Sequence, residues 1–210
     1  MEKGSSLRLR PGRRGKNRMK RGGMFLLFSS IFLFSPVLAF WFGQDSCPSQ
    51  WSVNTGYADA QRFQAPEAGT SSRLEILTYG ELSGGTVRMA VYDDSIGHPN
   101  HKLWEGSDIV YISSTWCGED VNTIQINKNS YYWFAFKIST TREVCFATGP
   151  TDSHEWKAGQ LYANPFPDPW GSYTGHNYNR YSLRMHYTTS QGNKGIIEID
   201  PGIIEGGIIK

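Results

Sequence analysis

From about residue 73 to residue 187 the chain is written in short apolar segments that alternate with a period of two, punctuated by Gly, Pro, Asn and Asp. No interval carries a long, capped helical pattern. Successive side chains of a strand point to opposite faces, so such segments read as half-buried strands. In residues 73–79 (RLEILTY), Leu74 and Ile76 share a face. In residues 86–92 (TVRMAVY), Val87, Met89 and Val91 share one face and Arg88, Ala90 and Tyr92 the other. In residues 181–187 (YSLRMHY), Leu183, Met185 and Tyr187 turn inward while Ser182, Arg184 and His186 turn to water. Eight or nine such strands must close their apolar faces against one another. The pattern therefore predicts an all-β fold, an antiparallel two-sheet sandwich of jelly-roll type with an extended C-terminal tail.

Turn chemistry orders these strands. Gly84-Gly85 predicts a hairpin joining residues 73–79 to 86–92. Residues 93–100 (DDSIGHPN) predict a connection at one end of the fold, and LWEG and DIVYIS after it supply short strands. Residues 121–126 (VNTIQI) and 131–138 (YYWFAFKI), separated by NKNS, give the clearest strand–turn–strand signal. Residues 143–148 (EVCFAT) place Cys145 in a strand.

The first 23 residues hold nine Lys or Arg and one acid, leaving twelve basic against eighteen acidic side chains in the remainder. The whole-chain charge of +2 thus belongs to the leader, and the body is acidic. Residues 24–42 are uncharged, and Pro36 followed by Val37-Leu38-Ala39 has the order of a secretory signal cut after Ala39. An uncleaved membrane anchor and a pilin-like leader are the rival readings, and all three place the following domain outside the cytoplasm. Membrane contact is expected only through this segment if it is not cleaved. The acidic body argues against a nucleic-acid partner. The expected organisation is a signal at 1–39, a short link at 40–50, a sandwich at 51–188 and an Ile/Gly-rich extension at 189–210.

Secretion permits a disulfide. Cys117 with Cys145 would close a loop between neighbouring strands, leaving Cys47 unpaired or bridging to another chain. Pairing of Cys47 with either of the others stays open.

The order Arg62-Phe63-Gln64-Ala65-Pro66, then GGTVRMAVYDD with Gly97 and Pro99, then YYWFAFK resembles secreted bacterial and archaeal β-sandwich ancillary domains. Those domains carry an R-F-x-A-P opening, a G-x-V-x-x-A-V-Y segment with a G-x-P loop, and a Y-W-x-A-F strand. The resemblance spans about residues 51–188. It implies an architecture like that of carbohydrate-binding modules on surface proteins and brings no catalytic set with it. It also implies that Phe63 and Trp133 pack while Gly97 and Pro99 shape a loop.

Residues 162–181 are rich in aromatic rings, and Pro165, Pro167 and Pro169 exclude a regular ladder or helix there. Rings on such a loop can stack on sugar faces or anchor a protein, which makes Trp170, Tyr173, Asn177 and Tyr178 candidate ligand contacts with Asp168 as a hydroxyl acceptor. The competing reading is that the loop folds back as a lid and its aromatics complete a small core. Asp93, Asp94 and Asn100 offer oxygens for calcium, as do Glu119 and Asp120, but neither segment has the spaced calcium-loop motif and ordinary turn hydrogen bonding is the stronger expectation. The cysteines and histidines are dispersed, so no zinc cluster and no cofactor is expected.

Nothing marks an enzyme. His154-Glu155 is followed by Trp156, Lys157 and Ala158, which leaves the metalloprotease motif incomplete. No glycine-rich phosphate loop opens a helix, and no local motif identifies a catalytic triad. The tail, with Ile196, Ile197, Ile199, Ile203, Ile204, Ile208 and Ile209, has the apolar β-formers that could add a strand to a sheet edge of another copy. Docking of the tail on its own sandwich is the competing reading. The expected function is a secreted, non-enzymatic structural or adhesion protein that assembles with itself or another surface protein through this tail. The alternative is a carbohydrate-binding module using the loop at 162–181.

Overall fold

The stretch YYWFAFKI has apolar side chains on both of its alternating faces, so a strand built from it needs cover on two sides. The computed structural model describes residues 39–189 except 122, 151 and 152, and supplies both covers. Among the described residues there are fifteen strands, numbered in chain order, and no helix. One sheet contains β3 (Tyr57–Gln64), β5 (Thr86–Ser95), β6 (His98–Glu105), β7 (Ile109–Val110), β10 (Tyr131–Ile138), β12 (His154–Ala158) and β13 (Gly175–Asn177). The other contains β1 (Ala39–Gly43), β2 (Ser49–Val53), β4 (Gly69–Tyr79), β8 (Trp116–Asp120), β9 (Gln125–Ile126), β11 (Arg142–Thr148), β14 (Asn179–Tyr181) and β15 (Leu183–Thr188). The first runs in the order β13-β12-β3-β10-β5-β6, with β7 on β5. The second runs β1-β15-β4-β11-β14, with β2 on β11 and both β8 and β9 on β4. Every pairing between these strands is antiparallel.

The two sheets meet over one core. Phe63, Val87, Met89, Val91, Tyr132, Phe134 and Phe136 from one sheet pack with Phe42, Leu74, Ile76, Leu183, Met185 and Tyr187 from the other. The alternation expected of residues 73–79 and 86–92 and of the last strand is realised in these side chains. Ala58, Ala60, Ala90, Tyr92, Trp133 and Ala135 form a second apolar surface with Phe166 and Trp170. Strands β5 and β10 contribute to both clusters, which explains why their sequences have no fully polar face.

The predicted local pairings differ from those observed. Gly84 and Gly85, both at positive φ, lie between β4 and β5, which belong to different sheets. Strands β9 and β10 are likewise divided between the sheets. In both cases the turn joins strands whose apolar faces meet across the core instead of lying side by side. Alternation alone satisfies either arrangement. The hairpin that does form is β5–β6, closed by Ile96 and Gly97 at φ of 54° and 86°. That pair of positive angles suits the right-handed twist of adjoining strands.

The segment 40–50, expected as a link outside the body, is part of the sandwich. Strand β1 pairs with β15 from Ala39↔Thr188 to Gly43↔Arg184, and Phe42 enters the core. Strand β2 begins at Ser49 and pairs along β11. The leader and the tail isoleucines Ile196, Ile197, Ile199, Ile203, Ile204, Ile208 and Ile209 lie outside the described residues.

The disulfide joins Cys47 to Cys145 across 98 positions of sequence, with Cα atoms 4.9 Å apart, and Cys117 is a buried free thiol. This corrects the expected Cys117–Cys145 pair. Val144 faces the inter-sheet core, so Cys145, next along the strand, points to the opposite side of its sheet. Cys117 belongs to the core itself. The two thiols are on opposite faces of one sheet, whereas Cys47 enters β2 beside the outward-facing Cys145. Closing so long a loop restricts the unfolded chain strongly. Cys47→Ser is therefore expected to lower the unfolding free energy by about 2–5 kcal/mol in urea titration. Thiol counting on the unreduced, unfolded protein should find one reactive cysteine, and alkylation at Cys47 or Cys145 would contradict the assignment.

Candidate binding cleft

The aromatic loop at 159–174, between β12 and β13, is a lid. Alanines at 58, 60, 90 and 135 leave a low floor on the outer side of the sheet, and Phe166 and Trp170 fill it. Trp170 is 0% exposed and meets Tyr92 edge-on at 5.2 Å, while the Tyr92 hydroxyl donates to Pro167 O at 2.7 Å. Trp170 is thus a packing residue and is corrected as a ligand contact. The prolines leave the loop with fewer N–H donors than carbonyls, and lysines rising from the sheet donate to several of the loop's carbonyls. Lys102 donates to Phe166 O at 2.9 Å, Lys137 to Asn164 O at 2.8 Å, and Lys157 to Ser172 O at 2.9 Å and to Trp170 O.

The other loop candidates separate. Asp168 accepts from Lys102 N at 3.1 Å, and Tyr173 stacks on His98 at 5.6 Å. Tyr178, 58% exposed, is the single residue between β13 and β14, which lie in different sheets. Asn177 alone of the five lines the cleft between β2, β3, β12, β13 and β14.

That cleft, of about 200 Å³, opens where the chain passes twice between the sheets, from β2 to β3 and from β13 to β14. Trp51, Ser52 and Val53 come from β2, Asn179 and Tyr181 from β14, and Tyr57 and Asp59 from β3. His154 and Trp156 of β12, Asn177 of β13 and Asn54 complete it. Strand register accounts for the members from the first sheet. Trp156 pairs with Asp59, and His154 pairs with Gln61 on one side and Asn177 on the other. Residues two apart along each strand therefore share the face that lines the cleft.

His154 is 2% exposed and organises the floor. Asn179 N–H donates to Asn177 Oδ1 at 2.7 Å, which identifies that atom as the acceptor. His154 Nδ1, 2.9 Å from the same oxygen, must therefore carry a proton. Its Nε2 lies 2.9 Å from Asp59 Oδ1. Tyr181 packs edge-on against the imidazole at 4.9 Å, and burial, helped by the Asp59 carboxylate, holds its phenol well above the ordinary tyrosine pKa. Both ring nitrogens are occupied within the protein, so His154 is a structural element of the floor and not an available base. At the rim Trp51 is 53% exposed, with Phe146 edge-on behind it at 6.1 Å.

The oxygens proposed for calcium are used internally. Asp94 accepts two bonds from Arg62 at 2.7 and 2.9 Å and one from Trp133 Nε1 at 2.8 Å. Asp93 accepts from His101 N at 2.6 Å, and the backbone carbonyl of Asn100 from Trp170 N at 2.8 Å. Glu119 accepts from Ser107, and Asp120 from Arg73. Among the described residues no group of three or more His, Cys, Asp or Glu is arranged to hold a metal ion. The motif residues Phe63 and Trp133 are buried, and Gly97 shapes the β5–β6 turn.

Sequence reasoning missed Trp51, Tyr57, Asp59, His154, Trp156 and Asn179. The i, i+2 spacing of Tyr57 with Asp59 and of His154 with Trp156 signals that each pair shares a face. It does not signal that β3 and β12 are neighbours.

No protein-family profile matches the chain, and no curated protein matches it in sequence. Among solved structures, it is similar to a clostridial cysteine protease, Cwp84, after propeptide cleavage, at 13% identity and a TM-score of 0.46, over 72% of this chain and 40% of that one. It is also similar to the cysteine protease and lectin-like domains of Cwp84, a surface layer associated protein of Clostridium difficile, at 12% identity and a TM-score of 0.45, over 72% of this chain and 36% of that one. The chain thus spans less than half of either structure.

Lys137 makes the lid sensitive to pH. Its ammonium is buried beneath the loop, and desolvation lowers its pKa from the ordinary 10.5 to about 8, against an opposing pull from Glu105. Below pH 8 the folded and unfolded chains both hold the proton, and the burial penalty is present in full. Between 8 and 10.5 the unfolded chain still holds it while the folded chain releases it, so this residue's contribution to stability rises with pH. Chemical unfolding of the wild type and Lys137→Met at pH 7 to 10 should show the wild type gaining stability relative to the variant above pH 8. A constant difference would contradict the buried-ammonium assignment.

Proposed function

We propose that the chain is an extracellular, non-enzymatic domain that binds carbohydrate in the cleft between β2, β3, β12, β13 and β14. The observation that carries this reading is the lining: the aromatic rings of Trp51, Tyr57 and Trp156 stand around an open depression among the side-chain amides of Asn54, Asn177 and Asn179. Flat rings meet the C–H faces of sugars, and amides both donate to and accept from hydroxyls. The long-range disulfide and the basic-then-apolar leader support an oxidising, exported setting. Binding fits the floor better than catalysis does, because His154 is engaged at both nitrogens. The assembly role expected of the tail rests on residues outside the described ones, whereas the cleft stands on the described sandwich.

The test is a broad glycan array probed with the wild type, Trp51→Ala and Trp156→Ala. Each substitution should weaken retention by about tenfold or more, as expected for an aromatic anchor in a binding site. Unfolding midpoints measured alongside separate lost binding from lost folding. Equal retention of folded wild type and both variants would reject the cleft as the binding site.

A further inference from the structure

Resting on the carbohydrate reading, we infer that the cleft takes a single uncharged sugar ring, stacked on a Trp156 platform that Gly175 seats. Size is the first argument. The cleft holds about 200 Å³, below the roughly 300–1,000 Å³ typical of sites for larger ligands. One monosaccharide ring fills that space, and further units of a sugar chain would lie outside it.

Charge is the second. The ionisable groups on the cleft floor satisfy each other: Asp59 faces His154, and the Tyr181 phenol stays protonated beside Asp59. The remaining polar lining, from Ser52, Asn54, Asn177 and Asn179, is neutral. Arg180, the cation next along the chain, is half-buried with its guanidinium over the Phe63 ring at 4.8 Å, and it is not part of the lining. A uronate, sialate, sulfate or phosphate entering the cleft would lose water without meeting a cation among the described residues that line it. An amino sugar would meet a carboxylate already committed to His154. Hydroxyl and acetamido groups meet amides suited to them.

The third argument is the platform. Trp156 pairs with Gly175 in the β12–β13 register, and a Cβ at Gly175 would lie 2.1 Å from Trp156 Cζ2 and 2.2 Å from Cη2. The six-membered ring of the indole therefore lies directly against the Gly175 backbone. Gly175 is not in the left-handed region, so its small size serves the ring and not the chain path. His154 stacks beside the indole at 5.9 Å and 27°. Held on these two sides, Trp156 is a preset flat surface, and Gly175 is its positioning residue.

The experiment titrates the full chain with methyl glycosides of glucose, galactose, mannose and N-acetylglucosamine. Oligosaccharides of each sugar, glucuronate and N-acetylneuraminate complete the panel, and saturation-transfer NMR and tryptophan fluorescence provide the readouts. A neutral glycoside should bind, its oligosaccharides should bind no tighter, and the acidic sugars should give no signal. Gly175→Ala should weaken binding by about tenfold, and Trp156→Phe, which keeps a smaller ring clear of the new methyl group, should restore part of the loss in the double variant. Preference for an acidic sugar, or affinity that climbs with chain length, overturns this inference and leaves carbohydrate binding standing. Unchanged affinity in Gly175→Ala overturns the platform. Absence of binding across this panel and the array overturns both readings.

Discussion

Strand β10 sends Tyr132, Phe134 and Phe136 into the layer between the sheets and Trp133 and Ala135 to the opposite side. A strand apolar on both faces is stable only when both are covered, because each exposed ring would keep a large apolar area in water. The second sheet provides one cover. The other has to come from outside the sheets, and the loop at 159–174 provides it with Phe166 and Trp170. The lysines beneath the loop answer the difficulty this creates, since a proline-rich segment laid on a sheet brings carbonyls with few donors of its own. Lys137 bears the cost of that service, with burial pulling its pKa down to about 8.

Covering β10 in this way also places the cleft. The lid connects β12 to β13, so it holds both strands at the margin of their sheet, where the chain then crosses through Tyr178 to β14. The earlier crossing from β2 to β3 lines the same cleft. Strand β2 pairs only with β11 among the described strands, and the Cys47–Cys145 bond ties its approach to the strand it lies on. Trp51 consequently sits on a covalently secured edge while Trp156 sits on a strand secured by the lid. Between them, the Asp59–His154–Asn177 array joins β3, β12 and β13 by side chains as well as by backbone.

Much of the strand content was legible, because a two-residue period is a local property. Leu74 with Ile76, the two faces of residues 86–92, and the alternation at 183–187 all follow from side-chain chemistry read along one segment. Turn chemistry was less informative. Gly84-Gly85 and the NKNS stretch are good turn formers, but a turn between adjacent strands of one sheet and a turn between sheets need the same local flexibility. The disulfide failed for a related reason: opposite facing of Cys117 and Cys145 depends on which face of each strand meets the core. Aromatic richness drew attention to Trp170, although rings on a loop fill a floor of alanines as readily as they meet a ligand.

The sequence by itself determined that the chain is all-β, that its strands have two apolar faces in places and one in others, and that the proline-spaced stretch 165–169 cannot join a regular ladder, although the expectation extended over 162–181 overshot, since β13 and β14 at its end are paired strands. These follow from alternation, composition and proline chemistry, which act over a few residues. Only the tertiary structure decided which strands are neighbours, that Cys47 meets Cys145, that the aromatic loop is a lid, and that Trp51, Asp59, His154, Trp156 and Asn177 surround one cleft. His154 and Asp59 are 95 positions apart, and residues so distant meet only when sheet order and register bring their strands together.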